Sequence, residues 1–164
     1  LLDAFLCRLF EWGTETGWQE VWVRSAGGVV TGEETRAVAT WPEAASALQG
    51  WTPETPPPPP RQRVEVHESV RAWLAEWSPR WQAGALLCLD YGDLFPALYH
   101  RRPAGTLRGY FLQQRLEGPA IYQNVGRQDL TADINFSDYR AWAGGCGWRE
   151  VFYGSQADWI HGLV

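Results

Sequence analysis

Ala85-Leu86-Leu87-Cys88-Leu89 is an unbroken apolar run that ends abruptly in Asp90-Tyr91-Gly92-Asp93. Apolar residues without alternation are the pattern of a strand buried on both faces of a parallel sheet. In open α/β sheets ligands sit beyond the carboxyl ends of the strands. An acid followed by glycine at such an end is therefore the first candidate for a site, with Asp90, Tyr91 and Gly92 as its lining. Asp90 either lines that site or caps its own turn, and both readings stay open. In residues 129–136, Leu130, Ala132, Ile134 and Phe136 alternate with Asp129, Thr131, Asp133 and Asn135. Period two puts the second set on one strand face. Asp129 and Thr131, with Asn135 further along, either face a cleft or form a hydrogen-bonded polar face that holds the preceding loop. Arg108 and Tyr110, in a predicted strand after Gly105, are candidates for the same cleft. Arg108 pairs an acid, at the site or in a purely structural ion pair.

Other chemistries find little support. His67, His100 and His161 are isolated, and Cys7, Cys88 and Cys146 lie far apart with no metal-ligand spacing, so no zinc site is expected. Three sparse cysteines suit reduced thiols in a cytosol-like compartment. All 14 basic residues are arginine, which excludes lysine Schiff-base or general-base chemistry. No Ser-His-Asp arrangement can be argued from spacing. The formal charge of −5 argues against generic nucleic-acid binding, which needs a basic face to displace counterions. At 164 residues and 45% hydrophobic, the chain suits one ordinary domain, and no apolar run approaches the roughly 20 residues of a membrane-spanning helix. It contains no methionine, so Leu1 is not expected to be a translated start, and the chain reads as part of a longer polypeptide.

The elements that must position these residues follow from local patterns. Residues 7–11 and 18–23 read as a β-hairpin around a turn at residues 13–17, and residues 29–35 extend it. Residues 41–48 form a short helix with Pro42 in its first turn. The five prolines at 56–60 predict an extended loop, with a docking site for a proline-binding domain as the sharper alternative. Arg63, Glu65 and His67 alternate with Val64 and Val66, predicting a half-buried strand over 61–67. Val70, Trp73, Leu74, Trp77 and Trp81 fall at helical spacing over 68–81. A helix N-capped by Ser137 is expected over 138–143, a strand over 148–153 and a last helical turn or two over 156–163. From residue 61 onward, strands and helices alternate as in an α/β fold. This divides the chain into a hairpin region (1–50), a proline-rich loop (51–60) and an α/β portion (61–164).

Four segments, "LCLDYGD", "GTLRGYF", "GRQDLTADINFSDY" and "GSQADWIHGLV", occur in an order and at distances that resemble the carboxyl-proximal half of the MidA-type S-adenosylmethionine-dependent methyltransferases. Leu1-Leu2-Asp3-Ala4 resembles the tail of a family motif in which Asn-Glu precedes two apolar residues and Asp-Ala. "GWQEVWV" resembles the hairpin that follows it. The resemblance implies a partial Rossmann-like class I methyltransferase fold with an inserted hairpin region, and S-adenosyl-L-methionine as cofactor. It also implies a protein arginine as acceptor, a link to respiratory complex assembly, and a setting in the bacterial cytoplasm or the mitochondrion. The family's Gly-rich loop and ribose-binding acid lie upstream of Leu1, so the segment alone is expected to be inactive. Asp3 is implied as the acceptor-side catalytic residue, or else as a helix-initiating acid. Some members carry His at the position of Asp133, so no catalytic role is assigned there.

Two other functions compete. The 11 tryptophans could form the contact surface of a non-catalytic interaction module, which requires them in one exposed patch. A metal-dependent hydrolase would need Asp90, Asp93, Asp129 and Asp133 to converge.

Overall fold

The amino-terminal alternation is realised as a hairpin in the computed structural model, which describes residues 1–50 and 57–162. Strand β1 (Arg8–Gly13) pairs antiparallel with β2 (Gly17–Ala26), placing Trp12 opposite Trp18. β2 continues into β3 (Val29–Ala37), with a register shift at Arg24/Ser25. After the four-residue helix α1 (Ser46–Gln49), β4 (Arg63–Val66) returns to the free side of β1, giving the sheet order β3-β2-β1-β4. Phe10, Val64 and Val66 are fully buried beneath helix α2 (Glu68–Trp77), which contributes Val70 and Leu74. These side chains join Trp142, Leu98, Tyr99 and Ile134 in one apolar cluster.

Two small sheets complete the mixed α/β arrangement. β5 (Gly92–Asp93) pairs parallel with β9 (Ile134–Asn135). β6 (Arg108–Phe111) lies between β7 (Gln114–Leu116) and β8 (Asp129–Thr131), antiparallel to both. Helices α3 (Phe136–Gly145) and α4 (Gln156–His161) follow. Gly92 is required by its ladder, because a side chain there would collide with the Ile134 carbonyl.

Several sequence expectations change. The apolar run at 85–89 forms no ladder, and its backbone has no hydrogen-bond partner among the described residues. Leu87 and Leu89 are consequently more than half exposed. The strand expected over 129–136 is divided between two sheets, because the chain leaves β8 at Ala132 to reach the partner of β5. Asn135, not Ser137, caps α3: its side-chain oxygen accepts the Ser137 N–H at 3.1 Å. Helix α1 is shorter than the predicted 41–48, α2 ends in a 3-10 turn at Ser78–Arg80, and residues 148–153 form no strand. β4 is buried on both faces rather than half-buried, with Glu65 at 1% and His67 at 3% exposure. The proline run is described from residue 57 onward, where it is irregular up to the turn before β4; residues 51–56 lie outside the described residues.

The tryptophans are scattered. Trp18 and Trp142 are buried, while the exposed ones sit on different parts of the fold: Trp22 on β2, Trp41 before α1, and Trp77 and Trp81 at the end of α2 and beyond. Arginine guanidinium groups cover the rings of Trp22 (Arg36) and Trp77 (Arg80). Leu74 is the helix side chain set deepest in the core after Val70. Leu74→Ala is expected to cost about 2–5 kcal/mol of stability, read from urea unfolding.

Candidate functional site

Asp90 joins the two ends of the site. Its Oδ1 accepts the N–H of Tyr91 at 3.0 Å, the turn cap anticipated for it. Its Oδ2 accepts the backbone N–H of Leu2 at 2.6 Å and of Asp3 at 3.4 Å, and lies 2.9 Å from the Leu1 amino nitrogen. The 3-10 turn Leu2–Ala4 is thereby fastened to the end of the 85–89 run. Asp3, Asp90, Tyr91 and Gly92 line one open cleft of about 760 Å³, whose other walls come from the 84–89 run, α3 and residues 148–159.

Asp3 is oriented from the opposite side by β8. The Thr131 hydroxyl donates to Asp3 Oδ2 at 2.5 Å, and the Asp3 carbonyl accepts the Ala132 N–H at 3.0 Å. Burial pushes the Asp3 carboxyl up, while the Thr131 hydroxyl and the Arg108 guanidinium draw it back down. The group therefore stays ionised at neutral pH.

Behind Thr131, Arg108 is paired with an acid that the sequence reading left without a role. Arg108 Nη1 donates to Asp133 Oδ1 at 2.6 Å and to the Thr106 carbonyl at 3.0 Å; its Nε donates to the Tyr110 hydroxyl at 3.2 Å. Arg102 holds the other Asp133 oxygen at 2.7 Å. Burial draws the Arg108 pKa down, yet the bonds to Tyr110 and Asp133 raise it overall, so the cation is permanent.

The loop leading into β6 is fixed by a carboxylate that the sequence did not single out. Glu65, on β4, accepts the N–H of Thr106 at 2.8 Å and of Leu107 at 3.1 Å on Oε1, and the Thr106 hydroxyl at 3.0 Å on Oε2. The Thr106 hydroxyl in turn accepts the Asp133 N–H at 3.0 Å. Gly105 makes this approach possible: its φ is +77°, and a side chain there would run into the Glu65 carboxylate. Complete burial raises the Glu65 pKa, opposed by the amides of Thr106 and Leu107. Sequence signals existed in Gly105 before Thr106 and in the polar positions of β4, but neither specifies a partner some 40 residues away.

The remaining candidates sit elsewhere. Tyr110 and Asp129 face each other in register across β6 and β8, and both are exposed. Asn135 is buried at the α3 N-cap, where its Nδ2 donates to the Ser46 hydroxyl at 2.9 Å. The structure thus gathers Asp3, Asp90, Tyr91 and Gly92 at the cleft, with Thr131 and Arg108 behind Asp3. Asn135 is engaged with α1 instead. Among the described residues no three His, Cys, Asp or Glu side chains are placed to hold a metal ion. No helix of the described residues is long and apolar enough to cross a membrane.

A family model described as "Putative S-adenosyl-L-methionine-dependent methyltransferase" matches residues 1–153. A solved structure of an uncharacterized superfamily protein from Burkholderia thailandensis is 25% identical, with a TM-score of 0.76 over 96% of this chain and 40% of that one. A second from the same organism, described as a "likely methyl transferase" bound to S-adenosyl-homocysteine, is 24% identical, with a TM-score of 0.70 over 90% of this chain and 36% of that one. No curated protein matches the chain. The chain therefore spans about 40% of the length of the first of these structures.

Glu65→Ala would leave three buried donors unpaired at about 1–3 kcal/mol each. It is expected to destabilise the fold by several kcal/mol in chemical denaturation, while Glu65→Gln, which keeps an acceptor, loses much less. A second expectation concerns pH. Burial lowers the His67 pKa to about 4 from 6.5, against the pull of Asp90, Asp3 and Asp133, and burial raises Asp138 to about 6 from 3.8. Near about pH 5, folding thus takes a proton from one group and gives one to the other, so the two slopes cancel. His67→Asn is expected to expose the Asp138 slope, with stability increasing as pH falls from 6 to 4. Asp138→Asn is expected to expose the His67 slope, with stability decreasing as pH falls from 6.5 to 4. Thermal melts across that range check both.

Proposed function

The chain belongs to the family described as "Putative S-adenosyl-L-methionine-dependent methyltransferase", and on that premise we propose that it forms the acceptor-side part of an enzyme that methylates the guanidinium of a protein arginine. The observation that carries this reading is the ionised Asp3 carboxylate at the edge of the cleft, fastened by Asp90 on one side and Thr131 on the other. The MidA-type motifs support a protein acceptor linked to respiratory complex assembly, in the bacterial cytoplasm or in the mitochondrion.

The residues present fit one side of the cofactor. A cleft of about 760 Å³ lies within the range of small-molecule sites, roughly 300–1,000 Å³. Leu87, Leu89 and Tyr91 give it an apolar wall, and Asp3 gives it an anionic edge. The described residues contribute no glycine-rich turn between a strand and a helix, so those contacts are assigned to segments beyond this chain. When bound, S-adenosyl-L-methionine supplies a methyl group already activated on a sulfonium, so neither metal nor acid is called for.

The work left to this chain is positioning. Asp3 accepts an N–H of the incoming guanidinium and offsets its charge. Thr131 fixes the rotamer of that carboxylate, and Asp90 fixes the backbone that bears it. Arg108, paired with Asp133 and the Tyr110 hydroxyl, adds its charge to the field that keeps Asp3 ionised. Holding reactants in line can supply about 7–11 kcal/mol in the best intramolecular cases.

The test pairs binding with turnover. S-adenosyl-homocysteine titrated by calorimetry is expected to bind the 164-residue chain only weakly. It should bind tightly to a polypeptide long enough to span the full fold of the solved relatives. Tight binding by the shorter chain would contradict the assignment of the missing contacts. In the longer protein, Asp3→Asn is expected to slow methyl transfer to arginine peptides about a hundredfold or more, with the affinity for S-adenosyl-homocysteine unchanged.

A further inference from the structure

Two buried side chains that line the same small void each carry a polar atom without a hydrogen-bond partner among the described residues. His67 lies between β4 and α2 and is 3% exposed; its Nε2 has no hydrogen bond among the described residues. Asp138, in the first turn of α3, is 1% exposed. Its Oδ1 accepts the Ser46 N–H at 2.7 Å, while Oδ2 has no partner among the described residues. Both side chains line a cavity of about 10 Å³, together with Val70, Ile134, Asn135 and Trp142.

Buried polar atoms are rarely left unpaired, and ordered water is the usual remedy. A void of roughly 10–15 Å³ accommodates one water molecule and nothing larger. Size and chemistry agree, since a single water both donates and accepts and so can serve a carboxylate oxygen and either tautomer of the imidazole. We propose that one ordered water occupies this cavity and bridges His67 Nε2 to Oδ2 of Asp138. With Asp138 ionised, the water donates to Oδ2 and either donates to Nε2 or accepts its N–H, as the tautomer requires. With Asp138 protonated, its hydroxyl donates to the water, which keeps its bond to the imidazole. The bridge therefore persists in either state of the carboxyl and joins the start of α2 to the start of α3. Ile134, which pairs with Gly92, forms part of its wall. The proposal does not depend on the methyltransferase reading.

A crystal structure of the chain is expected to show one isolated density peak within hydrogen-bond distance of both atoms. An empty cavity, a direct bond between Nε2 and Oδ2, or an ion in place of water would each overturn the proposal. In solution, water-to-protein NOE cross-peaks to the Val70 and Ile134 methyl groups are expected in the unaltered protein. They should be lost in His67→Phe, whose ring removes one of the two polar partners. Absence of those cross-peaks from the unaltered protein would equally overturn it, whether or not the variant folds.

Discussion

A buried carboxylate at Glu65 is the constraint on which the site depends. Completely withdrawn from solvent, it is tolerable only because two amide N–H groups and one hydroxyl converge on it. Those donors all come from the Thr106–Leu107 turn, so the carboxylate dictates where β6 begins. From there the geometry propagates: Thr106 takes the Asp133 N–H, Asp133 pairs with Arg108, and β6 aligns β8 so that Thr131 reaches Asp3. The antiparallel hairpin sheet, which includes β4, is thereby coupled to the cleft through hydrogen bonds rather than through apolar contact alone.

Such a network is costly to assemble and specific once assembled. Each buried polar group demands a partner at a fixed position, and a displaced partner leaves a group unpaired. The apolar cluster of Phe10, Val64, Val66, Val70 and Leu74 has no comparable directionality. It supplies the driving force for collapse, while the polar chain from Glu65 to Asp3 selects one arrangement of the loops above it.

Legibility in the sequence followed locality. The hairpin β1–β2 was evident from the glycine-bounded turn between its strands and helix α2 from the apolar period of its buried face, whereas β3, which buries no side chain, was read as an extension of the hairpin. The division of residues 129–136 was not, since perfect alternation carries no mark of where a chain changes sheets. The run at 85–89 has the composition of a central strand, yet a strand exists only with a neighbour to bond to, and none is present among the described residues. Asp90 was recognised as either a turn cap or a cleft acid, and it is a cap that also lines the cleft. The partners of Glu65, Thr106 and Asp133 were not legible, because they are contacts between segments far apart in the chain.

The unbonded backbone of residues 85–89 also bears on how this polypeptide behaves in company. Its amide and carbonyl groups lie beside two leucines that are more than half exposed. That combination is a template onto which any extended apolar segment can add. A strand brought alongside from outside the described residues would satisfy those groups and cover both leucines.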